Sequence, residues 1–409
     1  EASPWLAGLP IAVKDLVEVA GVRTTWGSPI FADHIPQHSD TLVEILERKG
    51  AVVIAKTNTP ELGHGGTTFN EVFGHTRNPW NTSRTCGGSS GGSAVALATG
   101  QAWLATGSDM GCSIRGPAAF CGVVGLRPTP GRVARGPKKL GWGTLSVEGP
   151  MGRTVGDTAL MFDAQVGSHP RDPLSMPAPA KPFLEAVDDP KAPQRVAFSR
   201  DLGGITPVAK EVGNICAAAA ARFGELGATV EEACPDFNDA REIFHILRSH
   251  TILTNWAPLL EKYRDKIKPE VIWNIEEGMK LTADEIGRAE RMRADLYQRV
   301  AKFFETYDIL ICPSTCTPPF DVNLRALTEL EGHTFANYYD WYTICFAITV
   351  TSCPVMSIPC GFTNDGLPVG MQLVGPHNGE AALFSAAALF EEVAGVAGEL
   401  PIEPRGGIA

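Results

Sequence analysis

The sequence predicts an α/β protein in which helices cover a large, twisted, parallel or mixed sheet. Two observations carry that expectation. Through the first half of the chain, short apolar runs of strand character alternate with stretches of helical period. After a long helical middle, strand-like runs return and a last helical stretch, 380–393, closes the pattern. The 409 residues are 44% hydrophobic and 20% charged, enough to fill a large core.

The elements follow in order. GLPIAVKD (8–15) reads as a short strand ending at Lys14. Ser39 and Asp40 stand where they would cap the helix DTLVEILERKG, whose Leu42, Val43, Ile45 and Leu46 form one face and whose Gly50 ends it. GAVVIAKTN (50–58) has the pattern of a buried strand, SAVALA (93–98) of a helix ended by Gly100, and AWLATG (102–107) of another strand. Pro207 to Leu226 fits a helix with Gly227 beyond its end, and the interval of about 207–306 reads as helical throughout. Strands are expected again at 308–315, 350–359 and 368–375. The proline-rich PRDPLSMPAPAKPF (170–183) is read as a surface loop within one domain spanning 1–409, rather than a hinge.

Charge and cysteine usage exclude several classes. The net charge is −11, with no basic patch in sequence, so no nucleic-acid partner is expected. No apolar run reaches 18 residues, and neither a membrane span nor a signal peptide is read, which points to the cytoplasm. Several of the ten cysteines lie in apolar runs, as Cys121 does in AFCGVV, and are expected to be reduced and buried. Cys312 and Cys316 make no zinc set, so no metal or other cofactor is expected.

Chemistry concentrates in two glycine–serine turns. CGGSSGGSAVALATG (86–100) sets Ser89 and Ser90 at the start of a helix, and SDMGCSIRGPAAFCG (108–122) sets Ser113 after Gly111 and Cys112. Such turns let backbone N–H groups approach a ligand beside a hydroxyl, which acyl transfer requires. Taken alone, such a turn is more often a cap or linker. A serine nucleophile also needs a base, and the nine histidines show no spacing signal. Lys14 closes an apolar strand, where burial could lower its pKa; a strand-end lysine reaching to solvent is the alternative.

Taken together, GLPIAVKD, GAVVIAKTN, NPWNTSRTCGGSSGGSAVALATG, SIRGPAAFCGVVGLRPTPGRV, GPMGRTVGD and GLPVGMQLVG resemble the amidase signature family, serine hydrolases of amides and related acyl–nitrogen bonds. The segments run from residue 8 to residue 375, with 75 residues from Lys14 to Ser89 and 24 from Ser89 to Ser113. The resemblance implies a mixed sheet covered by helices on both faces, Ser113 as nucleophile, Ser89 at a cis peptide as proton relay, and Lys14 as base. It implies an oxyanion hole from the backbone of Met110, Gly111, Cys112 and Ser113. Ser90, Asp109 and Arg115 would support the loops, and Gly63, His64 and Gly65 would line the acyl pocket. No cofactor is implied.

Two departures qualify the resemblance. The family's Thr-Asp-x-Gly-Gly-Ser stands here as Ser108-Asp109-Met110-Gly111-Cys112-Ser113, putting a side chain into the oxyanion turn. Only 13 residues precede Lys14, so the family's helical segment before that strand is expected to be missing from this chain. The helical region at about 207–306 and the aromatic NYYDWYTICF (337–346) suggest an apolar substrate pocket, with Tyr338 and Trp341 as candidates. An anilide, aryl amide or carbamate would suit it, met by a free-standing chain or a homodimer. Two alternatives stay open: an amidotransferase-type subunit working with a partner, and an esterase of the α/β-hydrolase type using Ser89 in G-x-S-x-G. The second wants a strand before Gly87, which NTSRTC does not suggest.

Overall fold

A computed structural model describes residues 6–395, 403, 405 and 406. Among them, ten strands form the main sheet: β1 (Pro10–Lys14), β2 (Val52–Thr57), β3 (Leu104–Asp109), β4 (Val124–Arg127), β5 (Val147–Gly152), β6 (Arg195–Phe198), β7 (Thr229–Glu232), β8 (Ile309–Pro313), β9 (Val355–Phe362) and β10 (Pro368–Val374). Their order is β7-β6-β8-β10-β9-β4-β5-β3-β1-β2. β1 runs parallel to both β2 and β3, while β3 pairs antiparallel with β5, so the sheet is mixed.

Eleven helices surround it among the described residues: α1 (Thr41–Arg48), α2 (Gly91–Ala98), α3 (Arg115–Cys121), α4 (Val155–Gln165), α5 (Phe183–Asp188), α6 (Lys210–Ala221), α7 (Ala240–Tyr263), α8 (Pro269–Lys280), α9 (Ala283–Phe303), α10 (Thr343–Thr349) and α11 (Glu380–Ala394). Strand alternation divides the core between the two faces. Ile309 and Ile311 of β8 pack with Val212 of α6 and Phe384 of α11, whereas Leu310 and Cys312 pack with Phe244 of α7 and Leu296 of α9. Helices therefore cover both faces, as the fold class requires.

Several local expectations are corrected. β2 is a strand but not a buried one: it is the sheet's edge, and Val52 and Ile54 are half exposed. Neither Ser39 nor Asp40 caps α1 with its side chain. Both are drawn to the preceding loop, Ser39 Oγ accepting from the Ala20 N–H and Asp40 Oδ2 from the Glu18 N–H. The interval 207–306 is interrupted by β7, and α6 begins at Lys210 and ends at Ala221, its last expected turn being a 3₁₀ helix, Arg222–Leu226. The strand expected from residue 350 begins at Val355, because Thr343–Thr349 is helical. Residues Asn81–Thr85 are a strand, contrary to the reading of NTSRTC, but they pair with Arg77–Asn78 in a separate hairpin. Among the described residues no helix is long and apolar enough to cross a membrane.

Candidate active site

Alternation along β1 sends Ile11 and Val13 into one core and Ala12, with Lys14, to the face carrying α2 and α3. Lys14 is fully buried there. Its Nζ donates to Ser89 Oγ at 2.8 Å, Ser90 Oγ at 2.8 Å and Ser108 Oγ at 2.9 Å. Burial pushes the amine from its ordinary 10.5 down to about 7, against the pull of the Glu148 and Asp109 carboxylates. An amine neutral near pH 7 and set among hydroxyls can accept a proton from one of them. The alternative of a lysine reaching solvent is excluded by this burial.

The two serines before α2 are held by the loop's shape. The Gly88–Ser89 peptide is cis. A Cβ on Gly88 would lie 2.9 Å from the Thr67 backbone, so only glycine fits. Ser90 ties three segments together: its N–H donates to Ser113 O at 3.0 Å, while its Oγ accepts from Lys14 and, at 3.3 Å, from the Ser108 N–H.

Ser113 follows β3 in the turn before α3. Its Oγ makes no hydrogen bond among the described residues, so no direct link from Ser89 to Ser113 is formed; both line one cavity. The backbone N–H groups of Met110, Gly111, Cys112 and Ser113 likewise meet no acceptor among the described residues, whereas the next two, of Ile114 and Arg115, donate to Asp109 Oδ2. Four successive unsatisfied donors in a largely buried turn are unusual, and they can receive an anionic oxygen. At Gly111 a Cβ would stand 2.8 Å from the Tyr342 ring, which keeps this position free of a side chain. Cys112, by contrast, turns its side chain inward, with Sγ 3.5 Å from Gly88 O, so the family departure fills core rather than the cavity. Burial pushes that thiol well above its ordinary value.

Asp109 and Arg115 lie behind the turn. Arg115 donates to Asp109 Oδ1 at 2.8 Å and Oδ2 at 3.1 Å, to Gly111 O at 2.9 Å and to Gln372 Oε1 at 2.8 Å. Burial alone would raise the Asp109 carboxyl, but the Arg115 and Arg127 guanidiniums hold it down at about 2. The pair fixes the turn without facing the cavity.

The cavity measures about 890 Å³. Gly63, His64 and Gly65 line it; burial holds His64 well below its ordinary pKa, hence neutral. Trp26, Phe31, Leu62 and Trp256 form an apolar wall, with Trp26 edge-on to Phe31 at 4.5 Å between ring centroids. Trp341 and Tyr338 do not line the cavity: Trp341 packs against Phe120 and Phe320, and Tyr338 accepts from Arg248. Tyr342 takes the lining position in that segment. Sequence reasoning missed Ser108, Glu148 and Arg248, all of which line the cavity. Ser108 was legible in principle, as the residue before Asp109 at the end of β3; Arg248 had no local signal in FHILRSH beyond being a lone charge.

The mixed sheet, its two helical layers and a hydroxyl-bound lysine beside a free backbone turn are those of an amidase-class enzyme, one that acts on carbon–nitrogen bonds. The chain belongs to the Amidase family, whose model matches residues 1–384. It is 35% identical over 394 residues to an acylamidase of Rhodococcus erythropolis, covering 95% of this chain and 82% of that one. It is equally 35% identical over 412 residues to a glutamyl-tRNA(Gln) amidotransferase subunit of Thermosynechococcus vestitus, covering 95% and 84%. Among solved structures, a bacterial aryl acylamidase of the amidase signature family superposes with a TM-score of 0.91 at 26% identity, covering 98% of this chain and 86% of the other. A 6-aminohexanoate cyclic dimer hydrolase follows at 0.88 and 27%, covering 97% and 87%.

Proposed function

We propose that the chain hydrolyses the acyl C–N bond of aryl amides, or of the corresponding carbamates, through a serine acyl-enzyme. The observation that carries this reading is the fully buried Lys14, hydrogen-bonded to three serine hydroxyls beside the turn that bears Ser113. Ser113 Oγ attacks the carbonyl carbon as Ser89 takes its proton and passes its own to Lys14. The carbonyl oxygen gains negative charge and is received by the N–H groups of Met110 to Ser113. When the C–N bond breaks, the proton on Lys14 returns through Ser89 to the departing amine. Water then attacks the ester by the same relay and releases the acid and free Ser113. This route needs a Ser89–Ser113 hydrogen bond to form in the substrate complex, since catalytic hydrogen bonds of empty sites are often long or unformed. The apolar wall of Trp26, Phe31 and Trp256 supports an aryl or bulky apolar group on the substrate.

The test is kcat/KM on an aryl amide and an aryl carbamate sharing one amine. Turnover of the amide alone makes the chain an acylamidase, comparable turnover of both a urethane hydrolase as well, and turnover of neither refutes the reading. The pH profile adds a second check. Lys14 must be neutral to act, so kcat/KM is expected to rise with pH through about 7, the value to which burial lowers it. Because the Glu148 carboxylate favours the ammonium, Glu148→Gln is expected to move that limb to lower pH. Asp40 lines the same cavity and is pushed up to about 7, by burial first and by the Glu148 carboxylate among its smaller causes, so its limb would move the same way. A limb that stays in place under Glu148→Gln would belong to neither group, and one that vanishes in Asp40→Asn would belong to Asp40.

The equal identity to a glutamyl-tRNA(Gln) amidotransferase subunit supports a second reading, in which this chain works with a partner. Gel filtration of the protein from its native extract distinguishes the two: a free-standing hydrolase elutes active at its own mass, and one member of a complex elutes at a larger mass.

A further inference from the structure

Three arginines are buried in the described structure, Arg115, Arg127 and Arg248. Arg115 and Arg127 both stand against the Asp109 carboxylate, at 2.8 and 3.6 Å. Arg248, on α7 and only 4% exposed, has no carboxylate within salt-bridge distance among the described residues. Its guanidinium donates through Nη1 to Asn274 Oδ1 and through Nη2 to Tyr338 Oη at 2.5 Å, while Nε donates to nothing described. Lys14 escapes the cost of burial by giving up its proton; a guanidinium cannot. A buried charge without a counter-charge is expensive, and a ligand that carried the counter-charge would offset that cost.

The position fits that explanation. Arg248 lines the same cavity as Ser113. It lies 6.0 Å above the Phe244 ring, and Phe244 Cζ is 3.6 Å from where a Cβ of Gly111 would stand, so one ring touches both the guanidinium and the turn that carries Ser113. It stacks 4.6 Å over the Tyr339 ring, and Tyr338 and Asn274 fix its edge. A planar fork held in this way is suited to a carboxylate.

We propose that Arg248 forms a carboxylate subsite of the active cavity, so that the substrates are amides or carbamates bearing a carboxylate near the scissile bond. This rests on the amide-hydrolase reading above. The test uses four 4-nitroanilide or anilide substrates: succinyl 4-nitroanilide against its neutral methyl ester, and N-butanoyl-4-aminobenzoate against N-butanoylaniline. The first pair places the carboxylate on the acyl side, the second on the amine side.

With the wild-type enzyme, one acid is expected to exceed its neutral counterpart in kcat/KM by about 100-fold, the loss typical of leaving a buried charge unpaired. The wild-type ratio needs no variant and so does not depend on how a variant folds. Arg248→Met is expected to bring that ratio near one, and Arg248→Lys to restore part of it. Neutral substrates turned over as well as both acids would overturn the subsite while leaving the amidase reading intact. A ratio unchanged in Arg248→Met would overturn it too. Failure of all four substrates would remove the amidase reading on which it stands.

Discussion

Lys14→Ala is expected to lower kcat for amide hydrolysis by about 10⁴-fold or more, with folding retained. In the proposed relay the amine receives the serine proton and later protonates the leaving amine, so its removal would impair both half-reactions. The protein tolerates the change because Lys14 is held by neutral hydroxyls of Ser89, Ser90 and Ser108, with no carboxylate left stranded at hydrogen-bond distance. Steady-state kinetics beside a thermal melt separates the two effects. A Lys14→Ala protein with kcat within tenfold of the wild type would remove lysine from the chemistry. Lys14→Arg is expected to be as inactive, since a guanidinium does not give up its proton near neutral pH.

Asp109→Ala is expected to act on stability instead, by about 3–5 kcal/mol. The substitution leaves Arg115 and Arg127 buried with no carboxylate between them, and it frees the Ile114 and Arg115 N–H groups that Oδ2 now accepts. A urea titration measures it, and a shift under about 1 kcal/mol would show that Arg115's carbonyl and side-chain acceptors suffice without the carboxylate. The same pair sets an acid limit. The Asp109 carboxyl is held below its ordinary 3.8, at about 2, so its contribution is fully present above 3.8 and is lost as the pH falls through about 2.

The site was legible in the sequence to the extent that it is local. Lys14 closes a short apolar strand, and Ser89 and Ser113 lie in glycine turns at strand and helix ends, so each leaves a pattern within ten residues. Arg248 and Tyr342 reach the cavity from α7 and from just before α10, and only tertiary packing decides that they face it while Trp341 and Tyr338 do not. The same limit governs the strands. β4, β5, β6 and β7, with sequences VGLR, VEGPMG, RVAF and TVEE, are too short, polar or glycine-rich to announce themselves by period. β2 did announce itself, but its apolar run could not tell an edge from a centre, which depends on what lies beside it.

The assignment of Ser113 as the nucleophile is tested most directly by labelling the protein with a fluorophosphonate and mapping the adduct by mass spectrometry. The account predicts a phosphonyl group on Ser113 in the wild type and none on Ser113→Ala. An adduct on Ser89, with Ser113 unmodified, would contradict it and make a hydroxyl bonded directly to Lys14 the one that attacks.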